Sequence, residues 1–221
     1  RLNRAELSMY IPHHFAEPRV DILHQLIQAR PLCTLVTPTP GGLDANHVPL
    51  HLSDAPAPFG TLRGHVARAN PIWREVVPGS EVLAIFQGPE AYVTPSWYPT
   101  KAETGKVVPT WNYAVAHAYG ILRVVEDSTW VRTQLEALTA HNEAAFAAPW
   151  QVSDAPHEYI DKLLGAVVGI EIVITRLVGK WKTSQNQAES NREGVAHGLR
   201  GLGGEEAIAM ADLVDAARPS R

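Results

Sequence analysis

Residues 59–73 read FGTLRGHVARANPIW, and the interpretation of the whole chain starts from this stretch. Its pattern predicts a short strand that ends at Arg63, a sharp turn at Gly64 and then a short helix that carries Arg68. The first N–H groups of such a helix are unpaired and carry partial positive charge, so they bind anions. The two arginines suit a cofactor phosphate or carboxylate, although an ordinary turn with solvated arginines would show the same spacing.

The composition is that of a globular protein without a strongly basic surface. The chain has 221 residues, of which 45% are hydrophobic and 19% are charged. Its 17 prolines and 16 glycines predict many turns and favour a β-rich centre over a helical bundle. The net charge of −4 argues against broad electrostatic binding to nucleic acid, because such binding needs a basic face.

The single cysteine and the lack of long apolar runs limit which disulfides, metal sites and membrane segments the sequence allows. Cys33 excludes an intrachain disulfide and a multi-cysteine metal cluster, and its apolar surroundings predict a buried side chain. No segment approaches the roughly 18 to 20 apolar residues that span a bilayer. No secretory signal is visible either, so the sequence predicts a cytoplasmic protein without a membrane segment.

The order of the predicted elements indicates an α+β fold. Strands come in runs joined by short turns, which favours an antiparallel barrel with peripheral helices over a parallel sheet. The predicted helices cover 18–29, 127–141, a short stretch after Pro156, 190–200 and 205–217. The other predicted strands cover 32–37, 43–52, 81–86, 91–94, 110–125 and 167–177, with a turn at Gly88-Pro89.

This order also suggests a division of the chain. Residues 1–8 precede Met9 and are expected to be an upstream extension or an expression remnant. Residues 9–187 are expected to form the cofactor-binding barrel, and residues 188–221 a helical tail.

Four sequence runs together resemble the PaiB family of FMN-binding negative transcriptional regulators. They are RGHVARANP at 63–71, PSWYP at 95–99, KVVPTWNY at 106–113 and GKWKTSQN at 179–186. The likeness extends from Met9 to about Leu199. It implies an antiparallel split β-barrel similar to that of pyridoxamine phosphate oxidases, and a homodimer with two sites at the subunit interface.

The resemblance also implies which residues hold FMN. The strand-turn-helix would hold the phosphate, the preceding strand would lie beside the flavin ring, and one glutamine would reach the polar edge of the ring. Further residues would close the pocket, some of them from the partner chain. In that order, the residues are Thr61, Arg63, His65 and Arg68; Asn46, His47 and Val48; Gln87; and Trp111, Asn112, Lys182, Ser184 and Gln185.

A second resemblance, to the haem-dependent piperazate synthases, gives an alternative cofactor. These relatives of PaiB bind haem b and form an N–N bond, and the pattern around residues 64–73 is similar to theirs. Carried over, His65 would be the axial iron ligand and the neighbouring arginines would pair with haem propionates. The chain departs from the synthases at 96–98 and 101–106, which speaks against the N–N chemistry more than against haem.

Two classes of function follow. The first is a cofactor-dependent regulator of the PaiB type that acts without direct DNA binding. The second is an enzyme, either an FMN oxidoreductase on a small molecule or a haem enzyme, with His65 as the candidate catalytic residue. The aromatic residues Trp97, Tyr98 and Trp111 would either stack on the planar cofactor or pack in the dimer interface.

Overall fold

A computed structural model describes residues 9–217, so the predicted extension at 1–8 and the last four residues of the predicted tail lie outside the described residues. The described chain contains eight strands and seven α-helices. The strands are β1 (Ala16–Glu17), β2 (Leu32–Thr39), β3 (Gly42–Pro49), β4 (His51–Ser53), β5 (Thr61–Ala67), β6 (Glu81–Val93), β7 (Thr110–Val125) and β8 (Val167–Lys182). The helices are α1 (Val20–Ala29), α2 (Ile72–Glu75), α3 (Thr100–Thr104), α4 (Ser128–Glu143), α5 (His157–Gly165), α6 (Glu189–Leu202) and α7 (Glu205–Ala216).

The strands form one antiparallel sheet in the order β3-β2-β6-β7-β8-β5-β4, and β1 pairs with β8. The chain divides into two compact units. The larger unit comprises residues 19–86 and 116–178, and the smaller one comprises the described residues up to 18, 87–115 and the residues from 179 onward. The three long strands β6, β7 and β8 each contain residues of both units.

In the larger unit, alternation along the strands separates a core face from an outer face. Leu62, Gly64 and Val66 of β5 are buried, while Arg63 and His65 between them are only half buried. The β-branched strand β8 contributes Ile170 and Ile172 to the same core, as a period of two residues requires. The outer face of β5 is thereby left to polar side chains.

Helix α4 covers part of this outer face. It begins at its N-cap, Asp127, whose side chain accepts a hydrogen bond of 3.0 Å from the backbone N–H of Trp130. The ring of Trp130 packs against Gly169, where a Cβ atom would lie 2.5 Å from the ring. Glycine at 169 therefore allows α4 to approach β8 closely.

The smaller unit has its own core. Val93, Tyr98, Val195, Leu199 and Met210 are nearly fully buried in one cluster that joins β6 to α6 and α7. Both predicted tail helices are therefore confirmed as packed elements. Tyr98 belongs to this core, and it is not part of an exposed aromatic surface.

The predicted turn at Gly64 is wrong. Strand β5 runs through Gly64 and His65 to Ala67, and the next helix, α2, begins only at Ile72. Gly64 is required for another reason, because a Cβ atom there would lie 2.8 Å from the carbonyl oxygen of Pro49. The helix N-terminus that was expected to bind an anion beside Arg63 is therefore absent from this position.

The predicted turn at Gly88-Pro89 is also wrong, since β6 continues without a break from Glu81 to Val93. The registered pairing of β6 with β2 ends at Ile85. Beyond that point Pro89 need not donate to a neighbouring β2 residue, and a proline is tolerated where such a donor is not required.

Candidate functional site

A charged row crosses the outer face of three strands in the larger unit. His51 of β4 lies opposite Arg63 of β5, and Arg63 lies opposite Glu171 of β8. The Nε atom of Arg63 donates to Glu171 Oε2 at 2.9 Å, and Arg123 Nη2 donates to Glu171 Oε1 at 2.7 Å. Two guanidinium groups therefore share one carboxylate.

Glu171 is a buried anion held by these two arginines. Its side chain is 10% exposed. Burial alone would raise the pKa of this carboxyl, but hydrogen bonds from Arg123 and Arg63 and their positive charges bring the pKa below its ordinary value. The carboxylate stays ionised at neutral pH, and it takes up part of the charge that Arg63 could offer to a ligand.

A cavity of about 550 Å³ lies between α4 and β4 and β5, within the larger unit. Such a volume is typical of small-molecule sites. Arg63 and His51 line it on the sheet side, and Thr129, Thr133 and Gln134 line it on the helix side.

His51 is the titratable group of this cavity with a shifted pKa. Burial, followed by the charges of His141 and Arg63, lowers the pKa of His51 below its ordinary value, and Asp54 opposes this shift. The rings of His51 and His141 lie 5.9 Å apart. At neutral pH His51 is therefore an uncharged imidazole that can accept a proton.

The predicted candidate His65 is positioned by α4. Its Nδ1 atom lies 2.9 Å from Gln134 Oε1, and because an amide oxygen only accepts, Nδ1 carries the proton. The other ring nitrogen, Nε2, then carries a lone pair. The Nε2 atom of Gln134 is buried and has no hydrogen-bond partner in the described chain.

Two of the predicted phosphate ligands are occupied by the protein itself. Arg68 donates to Glu126 at 2.8 Å and to the carbonyl of Gly165 at 3.1 Å, so it ties β5 to the end of α5. The hydroxyl of Thr61 donates to the carbonyl of Ala55 at 2.7 Å. Both side chains hold local structure in this conformation.

The residues predicted beside the flavin ring lie on β3. Val48 is buried and faces the core. Asn46 accepts a hydrogen bond of 2.9 Å from Asn70, and His47 lies on the exposed face with Nδ1 3.3 Å from the hydroxyl of Thr34.

The remaining six predicted site residues belong to the smaller unit. Asn112 is fully buried and donates to Ser184 Oγ at 2.9 Å, and Ser184 adopts a left-handed backbone with φ of 65°. Gln185 accepts a hydrogen bond of 2.8 Å from the backbone of Thr183. These three polar residues fix the chain just after β8.

The others lie nearer the surface of the smaller unit. Gln87 is exposed and donates to Glu90 at 2.8 Å, and Trp111 is 53% exposed with its ring 5.9 Å from that of Tyr92. The ammonium of Lys182 donates to the hydroxyl of Thr110. Burial lowers the pKa of Lys182 below its ordinary value.

Trp97 packs part of its ring against the smaller unit's own helix α6. Its indole packs against Gly198 of α6, where a Cβ atom would lie 2.3 Å from the ring. The expectation that Trp97 stacks on a cofactor or packs between subunits stays a prediction.

Sequence reasoning missed Glu171, Gln134 and the role of His51. Glu171 lies 108 residues from Arg63 and 48 from Arg123, and Gln134 lies 69 residues from His65, so no local spacing reveals them. His51 was visible on a polar strand, but only the fold places it beside Arg63. In residues 9–217 no group of three or more His, Cys, Asp or Glu side chains is suited to hold a metal ion.

Within the same residues, the helices are all too short or too polar to cross a membrane. Cys33 is buried as predicted, and burial raises the pKa of its thiol to about 12.

Comparison with known proteins agrees with the family resemblance that the sequence predicts. The family described as "Putative FMN-binding domain" matches residues 9–176. The protein AN0679 of Emericella nidulans is 39% identical over 93% of this chain and 96% of its own length. The protease synthase and sporulation protein PAI 2 of Bacillus subtilis is 29% identical over 94% of this chain and 97% of its own length. The predicted resemblance to PaiB is thereby confirmed.

Solved structures share the fold at low sequence identity. The FAD and haem binding protein from Mycobacterium smegmatis superposes with a TM-score of 0.57, at 16% identity over 76% of this chain and 73% of that protein. The flavocytochrome Anf3 from Azotobacter vinelandii gives a TM-score of 0.55, at 10% identity over 80% of this chain and 73% of that protein. The predicted α+β split-barrel fold is confirmed. The chain belongs to the FMN-binding domain family of split-barrel proteins.

Proposed function

We propose that this chain is a cytoplasmic, homodimeric flavoprotein that binds FMN and exchanges electrons with a small molecule. Membership of the FMN-binding domain family supports the flavin, and it does not by itself distinguish an enzyme from a regulator. The observation that carries the proposal is the cavity of about 550 Å³ on the outer face of β4 and β5, because it offers a concave site for a small molecule.

The side chains around this cavity fit the polar edge of a flavin ring. That edge has carbonyl oxygens and ring nitrogens that accept hydrogen bonds. Arg63, Thr129 and Thr133 can donate such bonds, and the unpartnered Nε2 of Gln134 provides a further buried donor beside them. When FMN is bound, it supplies hydride or single-electron transfer.

His51 gives the same cavity a proton acceptor. Its lowered pKa keeps the imidazole uncharged at neutral pH, so it can take a proton from a substrate group that enters the cavity. Arg63 and Arg123 share the single carboxylate of Glu171, so one net positive charge remains at the cavity wall for an anionic group of the substrate or cofactor.

Direct DNA binding is not part of this proposal, because six arginines form ion pairs with carboxylates. Their nitrogen atoms lie 2.7 to 3.2 Å from Asp or Glu oxygens, which leaves little charge for phosphate contacts. These arginines are Arg63, Arg68, Arg123, Arg132, Arg176 and Arg200. Any regulatory role is therefore proposed to act through another protein or metabolite, and gel-shift binding at nanomolar concentration and physiological salt would refute this.

Homodimer formation is proposed through the β3 side of the sheet. Strand β3 ends the strand order, and it presents Leu43, 81% exposed, and Ala45 to solvent. Exposed apolar side chains on an edge strand are typical of a surface that another chain covers. Leu43→Glu should convert a dimer into a monomer in light scattering, whereas Val108→Glu, at an exposed position of the smaller unit, should not. Equal masses for wild type and Leu43→Glu would contradict this interface.

The test of flavin binding uses two arginines that share one carboxylate. Arg63→Met removes a cavity-lining group, and loss of a hydrogen bond from a charged group should weaken FMN binding about tenfold or more. Arg123→Met removes the other partner of Glu171, but Arg123 is 61% exposed and does not line the cavity. The Arg123→Met variant should have a lower free energy of unfolding but should bind FMN as tightly as wild type. Equal losses of affinity in both variants, or no FMN binding by wild type, would overturn the proposal.

Haem binding is a second candidate because of one hydrogen bond. Since Nδ1 of His65 donates to Gln134, Nε2 is left with the lone pair that an axial ligand needs, in the arrangement typical of metal-bound histidines. Haem added to the purified protein should then give a Soret band that His65→Ala abolishes. His47→Ala, at an exposed histidine of β3, is the control. A Soret band that is unchanged in His65→Ala would eliminate this assignment.

A further inference from the structure

A second cavity lies wholly within the smaller unit. It has a volume of about 790 Å³, and it is formed by the end of β6, the turn that follows this strand and the junction between α6 and α7. Its lining residues all fall in 87–115 or after 179, so its shape does not depend on the larger unit. Among the residues that the structure describes, none lines both this cavity and the one beside α4. Its volume is typical of a small-molecule site, so it can take a ligand of its own.

The wall of this cavity is apolar and partly open to water. Tyr92 of β6 is 48% exposed, and Leu202, the last residue of α6, is 67% exposed. Trp97 is half buried and lines the same cavity. An edge-to-face contact with Trp111 supports the ring of Tyr92. Exposed aromatic and aliphatic side chains around one concavity are typical of a binding surface, because their contact with water is unfavourable.

Two glycines keep the helix side of the cavity open. Gly203 and Gly204 join α6 to α7 with φ of 70° and 83°, in the left-handed region that other residues rarely adopt. Both line the cavity, and a Cβ atom at either position would meet nothing within 4 Å. The turn therefore requires glycine, and it leaves space for a ligand in front of its backbone.

The charged side chains that line this cavity within residues 9–217 are all acidic: they are Glu90, Glu205 and Glu206. Glu90 accepts a hydrogen bond of 2.8 Å from Gln87, whose neutral amide leaves the negative charge in place. Glu205 is the first residue of α7, where a carboxylate also interacts favourably with the helix dipole. Glu90 and Glu205 therefore give the apolar cavity a negative wall.

An aromatic wall with negative charge selects one class of ligand. A positive charge is attracted both to carboxylates and to the faces of tyrosine and tryptophan rings. A cation without an apolar body would leave Leu202 in water, and an uncharged apolar ligand would leave the carboxylates without a counter-charge. We infer that this cavity binds an organic ammonium ion that carries an aromatic or aliphatic body. The inference goes beyond the proposed function, because it involves neither the flavin nor the cavity beside α4.

Two probes with the same apolar body test the recognition of charge. Phenethylammonium carries a positive charge, phenethyl alcohol is neutral, and phenylacetate is a related anion. Titrations of the wild-type protein at low salt, followed by ligand-observed nuclear magnetic resonance, should give the tightest binding for phenethylammonium and the weakest for phenylacetate. Equal affinities for the ammonium and the alcohol, or no binding of the ammonium, would overturn the inference.

A pair of matched variants tests the negative wall. Glu205→Gln removes a charge from the cavity, while Glu189→Gln removes the same charge from the first residue of α6, which does not line the cavity. Both changes affect a helix N-terminus alike, so ligand binding separates them. Glu205→Gln should weaken phenethylammonium binding about two- to fivefold, the usual contribution of an exposed charge pair, and leave the alcohol unchanged. Equal weakening in both variants would contradict a contact between Glu205 and the ligand.

The aromatic wall has its own pair of variants. Tyr92→Leu keeps an apolar side chain but removes the ring, so it should weaken phenethylammonium binding about two- to fivefold. Tyr159→Leu, at a tyrosine of α5 that is 56% exposed, is the control and should have no effect. A different occupant would give a different result. If phenethylammonium did not bind, and Leu202→Glu converted a dimer into a monomer in light scattering, the cavity would be a contact between copies of the chain and the inference would fail.

Discussion

Three glycines of α6 allow the packing of the smaller unit to be tested within one helix. A Cβ atom at Gly194 would lie 2.0 Å from the carbonyl oxygen of Trp97, and one at Gly198 would lie 2.3 to 2.5 Å from three atoms of its indole. A Cβ atom at Gly201 would meet nothing within 4 Å. The first two glycines therefore hold Trp97 against the helix, and the third does not.

The expected magnitudes have opposite signs. Gly194→Ala and Gly198→Ala should each lower the free energy of unfolding by about 1–3 kcal/mol, the usual cost of overpacking. Gly201→Ala should raise it by about 0.5–1 kcal/mol, because alanine favours the helical backbone. At roughly 2–4 °C per kcal/mol for a protein of this size, Gly198→Ala should melt about 2–12 °C lower than wild type.

Thermal melts followed by far-ultraviolet circular dichroism measure these shifts, and near-ultraviolet spectra report the surroundings of the tryptophans. The near-ultraviolet signal should change in Gly198→Ala and stay constant in Gly201→Ala. If all three variants were stabilised alike, the close approach of Trp97 to α6 would be refuted.

Three further results are expected. Gly64→Ala should destabilise the fold by about 1–3 kcal/mol in urea, whereas Gly165→Ala, with open space around it, should not; equal midpoints would contradict the strand assignment. Because the pKa of Glu171 is lowered in the folded chain, its stabilisation is present above the ordinary carboxyl pKa of about 4.3 and is lost as the pH falls through the lowered value. Glu171→Gln should remove this contribution, so unfolding measured from pH 6 to pH 3 should be less pH-dependent than in wild type. Cys33, with a pKa of about 12, should react with a thiol reagent at pH 8 only after unfolding, and rapid labelling of the native protein would contradict its burial.

Periodicity predicted most of the elements. The alternation in 110–125, the amphipathic pattern after Asp127 and the glycine-separated tail helices all correspond to β7, α4, α6 and α7. The errors came from glycine, which marks either a turn or a close approach of two chain segments. At Gly64 the deciding neighbour is the carbonyl of Pro49, and no local pattern identifies it.

The candidate site was less predictable because its charges are paired over long distances. The sequence shows that Arg63 and Arg68 are cations, but their partners, Glu171 and Glu126, lie 108 and 58 residues away. The division of the thirteen predicted residues between two units was likewise invisible.

The threading of β6, β7 and β8 through both units has a practical consequence for dissection of the protein. Each unit is assembled from separate stretches of chain, so no single truncation isolates either of them. Deletion of residues 188–217 would remove α6 and α7 but leave 87–115 without the partners of Tyr98 and Val93. Separate expression of one unit would instead need a redesigned chain order, with new linkers joining its stretches.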